Sequence, residues 1–118
     1  MIDELHKYSI FRTVRLDKEL AKTFSKDEIG EVEEIERKQL TMNPYVGDPL
    51  GYRFFREKKL KGKRVYFLIY DDMNAVLMVV VSDKKTPQAT IDEIKNHLKE
   101  YHAVIKNTIM QHDEYDHS

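Results

Sequence analysis

In the first third of the chain, apolar side chains recur with the spacing of a strand and then with that of helices. Residues 8–14, YSIFRTV, are rich in β-branched and aromatic side chains and predict a short strand. In residues 16–24 the apolar positions lie four apart, which predicts a short helix. Ser25 and Glu28 form a capping-box signature. The residues that follow place apolar side chains on one helical face and acidic side chains on the other, so a second helix is predicted over 26–40.

The middle of the chain predicts a loop and then three strands. Residues 43–51, NPYVGDPLG, hold two prolines and two glycines, so the second helix should end near Leu40. The strand-like segments that follow are residues 52–60, 64–71 and 75–83. The last of them is apolar at every position from its start to Val81, which predicts a central strand buried on both faces.

The C-terminal third predicts a single long helix. Thr86 and Pro87 suit the N-cap and first helical positions, and apolar residues then recur at steps of three and four. The helix is predicted over about 87–110, before a polar tail at 111–118. The predicted class is α+β: an N-terminal strand, a helical hairpin, a three-stranded antiparallel meander and a C-terminal helix, in one domain over 1–118.

Composition excludes several classes of protein. The 118 residues suit one core, and the absence of cysteine excludes a disulfide framework and a thiolate metal site. No run of 18 apolar residues exists, so we expect no membrane association. The N-terminus, MIDELHKYSI, lacks the apolar region of a signal peptide, which makes the cytoplasm the expected compartment.

Positive charge is concentrated in one segment of a chain whose net charge is −1. Residues 53–64, RFFREKKLKGKR, hold seven Lys and Arg and one Glu, and the rest of the chain is acidic. A basic patch on an acidic body suggests a surface for a polyanion. The alternative is a solvated hairpin end, because Lys-rich hairpin ends are common.

The region from 43 to 85 resembles the RelE/ParE superfamily of type II toxin–antitoxin toxins. NPYVGDPLGYRFF is similar to the family's loop from the helical hairpin into the sheet. GKRVYFLIYDD is similar to its third strand and turn, and AVLMVVVSDKK to a fourth strand that ends in basic residues. The resemblance implies a RelE-like fold over roughly residues 8–95.

The resemblance also implies a function, a toxin that cuts mRNA in the ribosome without a metal or other cofactor. It assigns the catalytic positions to Arg64, Arg56 and Lys85, with Lys58 as a competitor for the position of Arg56. A guanidinium suits this chemistry because it is always charged and can bind two oxygens of a phosphate in the transition state. Contacts to RNA backbone phosphates are expected from the remaining basic residues, Arg53, Lys58, Lys59, Lys61, Lys63 and Lys84.

Strand geometry limits this set, because Arg64 should share a face with Tyr66 and Leu68, whereas Lys63 and Val65 point to the other face. The aromatic residues of the strands are interpreted first as core and sheet-face residues. The alternative is that Tyr52, Phe54 and Phe55 stack on bases.

Three alternatives to the nuclease remain: a ParE-like topoisomerase binder, a toxin homologue without activity, and a basic-patch RNA-binding module. The argument for the first two is that the family's acid–base Tyr or His would fall in TPQATI, which contains neither. The expected partners are a cognate antitoxin, the ribosome and mRNA. An apolar stripe on the last helix, at Tyr101, Ile105 and Ile109, would suit an antitoxin or a second copy of the chain.

Overall fold

The structure is a computed structural model that describes the backbone of residues 7–83 and 87–117 and the side chains of 7–83 and 87–111. The chain divides into two compact units, Met1–Lys85 and Thr86–Ser118. The single domain proposed for the whole chain stays a prediction. Among the described residues, no helix is both long and apolar enough to cross a membrane.

The first unit contains a sheet and a helical hairpin. Its strands and helices, in chain order, are β1 (Ser9–Arg12), α1 (Val14–Thr23), α2 (Lys26–Glu34), β2 (Asp48–Tyr52), β3 (Phe55–Leu60), β4 (Lys63–Tyr70) and β5 (Ala75–Asp83). Helix α2 runs directly into a π-helical segment, Ile35–Leu40, so this helix ends at Leu40 as predicted. The predicted capping box at Ser25 and Glu28 is present.

The five strands form one sheet in the order β1-β5-β4-β3-β2. β1 pairs in parallel with β5, and the other neighbours are antiparallel. The predicted α+β class, with its N-terminal strand, helical hairpin and meander, is confirmed. The meander has one strand more than expected.

The single strand predicted over residues 52–60 is wrong at its N-terminal end. Residues on either side of Arg53 and Phe54 form two strands, β2 and β3, and β2 includes part of the predicted loop. β2 lies at the edge of the sheet. Proline has no backbone N–H to donate, and an edge strand tolerates Pro49 where an inner strand would not. Gly51, with φ of 90°, supplies the left-handed conformation before the turn.

The core of this unit lies between the sheet and the helical hairpin. It contains Leu16 and Leu20 of α1, Val32 of α2, and the strand residues Val65 and Phe67. Every residue of β5 from Ala75 to Val81 is buried, which confirms the prediction of a central strand. The residues of β4 that point away from the hairpin, Tyr66 and Leu68, are also fully buried.

A β-bulge in β5 decides which of its side chains face the helices. Tyr66 pairs with Val80 and Phe67 pairs with Met78, so Val79 is the extra residue. The bulge lets Met78 and Val81 both join the core beside the helices although they are three residues apart. It also places Ser82 beside Arg64 on the opposite face.

The second unit has two helices where one was predicted, α3 (Pro87–Lys95) and α4 (Leu98–His117). At the break the His97 ring donates Nδ1–H to the Glu93 carbonyl at 2.7 Å, and the His97 backbone N–H bonds to the Ile94 carbonyl at 3.0 Å, one residue short of the α-helical partner. Ile105 is fully buried, so the predicted exposed stripe on this helix is wrong at its centre. The proposed N-cap Thr86 lies outside the described residues.

Candidate nucleic-acid interface

The basic segment forms the β3–β4 hairpin. Leu60 pairs with Lys63, and Gly62, with φ of 72°, allows the chain to reverse between them. The register then sets Lys59 opposite Arg64 and Glu57 opposite Tyr66. Because side chains alternate along a strand, these two pairs lie on the face that points away from α1 and α2.

Arg64 is held by a buried carboxylate on the neighbouring strand. Its Nη1 donates to Oε1 of Glu57 at 3.0 Å, and the Arg64 and Glu57 side chains are 24% and 5% exposed. The other oxygen, Glu57 Oε2, is buried and has no hydrogen-bond partner among the residues that the structure describes. Arg64 therefore lies next to an incompletely bonded negative charge.

The same face continues into an uncharged polar pair. The Tyr66 hydroxyl and Ser82 Oγ are 3.0 Å apart, and Tyr66 is fully buried. Burial is the main cause that raises the pKa of Tyr66. Tyr66 is therefore neutral at physiological pH and is bonded within the protein.

Arg56 does not lie beside Arg64. It pairs with Phe67, on the face that carries the helical hairpin, about 10 Å along the strand from Arg64. Its Nε donates to the Gly47 carbonyl and its Nη1 to the Arg53 carbonyl, both at 3.0 Å. The structure does not bring Arg56 and Arg64 together, because they lie on opposite faces of the sheet, and their assignment to one catalytic site stays a prediction.

Lys63 is bound to the helical hairpin. Its Nζ donates to the Thr23 carbonyl at 2.8 Å and to Glu28 Oε1 at 2.9 Å, and it lies 4.8 Å from the centre of the Phe24 ring. The bond from the Ser25 backbone, followed by the bond from Lys63, lowers the pKa of Glu28. Lys63 therefore joins the sheet to the helices, and its expected contact with RNA phosphates stays a prediction.

The other basic residues lie at both ends of the hairpin. Lys61 at the tip is exposed, Lys59 lies 3.8 Å from Asp48, and Lys58 shares the helical face with Val65. Arg53 precedes β3 at its opposite end, and the six residues of this strand separate it from the tip by roughly 20 Å. The basic run in the sequence is therefore not one continuous patch.

Arg53 belongs to a second polar cluster, around Asp71. Asp71 accepts hydrogen bonds from Tyr8 at 2.7 Å and from Tyr45 at 2.6 Å, and Arg53 lies 4.0 Å from the centre of the Tyr45 ring. The bond to Asp71 raises the pKa of Tyr8 to about 12. The bonds from Tyr45 and Tyr8 lower the pKa of Asp71.

The sequence interpretation missed Glu57 and this cluster. Glu57 was visible as the lone acid in the basic run, but only the strand register brings it to Arg64. Phe55 and Tyr66 are fully buried, and the ring of Tyr52, which is 43% exposed, stacks on the ring of Phe54 with centroids 4.9 Å apart. The expected contributions of Lys84 and Lys85 lie outside the described residues.

Solved toxin structures match this fold over nearly their whole length. A free double arginine-to-alanine mutant of the E. coli toxin RelE matches with a TM-score of 0.62 and 16% identity, covering 76% of this chain and 97% of that chain. The toxin in the RelBE2 toxin–antitoxin complex from Mycobacterium tuberculosis matches with a TM-score of 0.58 and 21% identity, covering 67% and 93%. The isolated E. coli RelE toxin matches with 0.56 and 17%, covering 75% and 97%.

No protein-family model and no curated protein sequence matches the chain. The likeness is therefore one of architecture, at sequence identities too low to transfer individual residues. The fold of this chain is the RelE toxin fold.

Proposed function

We propose that the chain is a toxin of a type II toxin–antitoxin system that inhibits translation by binding mRNA on cytoplasmic ribosomes through the face that carries Arg64. The observation that carries the proposal is the RelE fold, which spans 93–97% of the three toxin chains described above. Arg64 and Lys59 share a face of that fold, and Lys61 lies at the exposed tip of the same hairpin. Cations in this arrangement suit the phosphates of a single strand.

Binding without cleavage is the activity that the described residues support better. Metal-free cleavage needs an acid and a base within reach of the attacked phosphate. Tyr66 is buried and bonded to Ser82, and Glu57 is 5% exposed and bonded to Arg64. The missing convergence of Arg56 with Arg64 also favours binding.

Ribosome-dependent endoribonuclease activity is the second candidate. It is favoured by the fixed position of Arg64, since a preorganised guanidinium stabilises the extra charge of the transition state. The acid–base partners would then come from outside the described residues, with Lys85 as the residue that the family resemblance indicates.

In vitro translation with mapping of mRNA ends distinguishes the two activities. We expect the wild type to reduce translation and Arg64→Ala to restore it. Arg37→Ala, which removes an exposed arginine from the π-helical segment, serves as the matched control and should act like the wild type. New mRNA ends that depend on Arg64 would establish cleavage, and inhibition without new ends would establish binding. Undisturbed translation with the wild type contradicts the proposal.

A cognate antitoxin follows from the same proposal. One of the structural neighbours is a toxin–antitoxin complex, which supports a partner that covers the toxin. Co-expression with the product of an adjacent reading frame should yield a stable complex and relieve the inhibition.

A dimer through α4 stays a proposal. The exposed large apolar residues described in this helix are Val104 and Met110, which are 42% and 52% exposed. Analytical ultracentrifugation of the free chain tests the dimer.

A further inference from the structure

The pair formed by Arg64 and Glu57 is only half bonded. A guanidinium and a carboxylate can form two parallel hydrogen bonds, but among the described residues this pair has one, from Nη1 to Oε1 at 3.0 Å. Glu57 Oε2 is buried and no described residue bonds to it. A buried charged oxygen that lacks a hydrogen bond lowers the free energy of unfolding, so this arrangement is destabilising.

A second buried pair in the same unit shows the fully bonded arrangement. Arg12 donates from Nε to Glu36 Oε2 at 2.8 Å and from Nη2 to Glu36 Oε1 at 2.5 Å, so both carboxylate oxygens are used. The bond to Glu36 is the main cause that raises the pKa of Arg12. Glu36 thus holds Arg12 by two hydrogen bonds, whereas Glu57 holds Arg64 by one.

Glu57 occupies one of the Arg64 donors that a phosphate could use. Carboxylate and phosphate oxygens are alternative acceptors for the same guanidinium donors. An RNA phosphate that approaches Arg64 therefore meets a carboxylate that is already bonded to the guanidinium. The phosphate must displace Glu57 or share Arg64 with it. The carboxylate also cancels part of the positive charge of the hairpin.

We propose that Glu57 is an internal competitor that lowers the affinity of the Arg64 face for RNA phosphates. The inference rests on the proposed function, because it concerns the same surface. Glu57 acts through Arg64 and is a positioning residue. Removal of its charge should strengthen RNA binding, which is the opposite of what loss of a purely structural residue would do.

The test is the affinity of the full chain for a fluorescein-labelled U-rich 12-nucleotide RNA, measured by anisotropy over a salt series. Glu57→Gln keeps the shape and removes the charge. We expect binding roughly five- to tenfold tighter than wild type, the size of one charge removed a few ångström from a phosphate in a water-like dielectric. Glu57→Thr provides a second variant suited to a strand. Far-UV circular dichroism checks that each variant is folded.

Two further variants isolate the cause. Glu36→Gln removes the same charge from the fully bonded pair and should leave the affinity unchanged. The gain from Glu57→Gln should vanish when Arg64→Ala is added. The proposal is overturned if folded Glu57 variants bind RNA no better than wild type, if Glu36→Gln produces the same gain, or if the gain persists without Arg64.

The outcomes also separate this inference from the proposed function. Wild-type binding that depends on Arg64, together with no gain from the Glu57 variants, overturns the inference alone. Binding by Glu57→Gln but not by wild type supports the competitor role and contradicts RNA binding by the unmodified chain. If neither protein binds RNA, both are wrong.

Discussion

At the scale of single residues, Asp71 joins segments that are far apart in the sequence. It lies in the turn after β4. Its two carboxylate oxygens also accept hydrogen bonds from Tyr8, before β1, and from Tyr45, before β2. A turn residue thus fixes the approach of two other chain segments to the same end of the sheet.

This cluster predicts two pH windows of reduced stability. Tyr8 has a pKa of about 12 in the folded protein against an ordinary value of 10.0, so its contribution is complete below pH 10 and is lost as the pH rises to about 12. The pKa of Asp71 is lowered from 3.8, so its contribution is present above that pH and is lost as the pH falls through the folded pKa.

Asp71→Asn should weaken the dependence of stability on pH in both the alkaline and the acidic window. The amide is neutral, and its oxygen replaces only one of the two accepting carboxylate oxygens. Urea unfolding at a series of pH values measures the effect. Asp72→Asn, at the next position in the same turn, is the control and should keep the wild-type profile. Identical pH profiles for wild type and Asp71→Asn would falsify the assignment.

At the scale of elements, two lysines of one hairpin have different tasks. Lys61 is exposed at the tip, whereas Lys63 bonds to the Thr23 carbonyl and to Glu28 of the helical hairpin. Charge in the sequence does not distinguish them. Their positions relative to the helices do.

We therefore expect Lys61→Ala and Lys63→Ala to separate binding from stability. Lys61→Ala should weaken RNA binding and reduce its salt dependence by about one counterion while leaving the stability unchanged. Lys63→Ala should lower the free energy of unfolding by about 1 kcal/mol, because it leaves the Thr23 carbonyl and Glu28 with fewer partners. Anisotropy and urea unfolding measure the two effects. A larger loss of RNA binding in Lys63→Ala than in Lys61→Ala contradicts this division.

Two glycines of the same unit should respond in opposite directions to alanine. A β-carbon at Gly47 would lie 2.4 Å from the backbone oxygen of Glu57, whereas one at Gly30 in α2 would meet nothing within 4 Å. Gly47→Ala should destabilise the protein by about 1–3 kcal/mol because β3 must move. Gly30→Ala should stabilise it by about 0.5–1 kcal/mol through helix propensity. Urea unfolding tests both, and equal effects would refute the close approach at Gly47.

At the scale of the whole molecule, folding depends on the layer between the sheet and the helical hairpin. Phe67 is fully buried there, together with residues of α1, α2 and β5. This core lies behind the face that carries Arg64, so it fixes the strands from which the candidate site projects. Loss of packing in it should therefore affect the entire first unit.

Phe67→Ala should lower the free energy of unfolding by about 4 kcal/mol, from the lost transfer of the ring and the cavity left behind. That is a large part of the roughly 5–15 kcal/mol that stabilises a domain. Val14→Ala, at a position 69% exposed, should change the stability by less than about 0.5 kcal/mol. Comparable unfolding midpoints for the two variants would show that this layer is not the main core.

The sequence by itself determined the class of fold and most of its elements. The helical periodicity of 16–24 and 26–40, the capping box and the apolar run of β5 are local signals, and each one was confirmed. Those signals fail where tertiary context outweighs them. Pro49 and Gly51 contributed to the prediction of a loop, but they lie in an edge strand that tolerates them. The last helix divides at His97, whose ring bonds to the Glu93 carbonyl.

Only the tertiary structure decided what each charge of the basic segment does. Alternation along a strand predicted correctly that Lys63 and Arg64 face opposite sides. It did not predict that a buried Glu57 bonds to Arg64, because that contact depends on the register between β3 and β4. A register is set by turns, bulges and the burial of whole faces, which involve residues distant in sequence. Composition therefore located the candidate surface, and the packing of the sheet decided which of its charges bond within the protein.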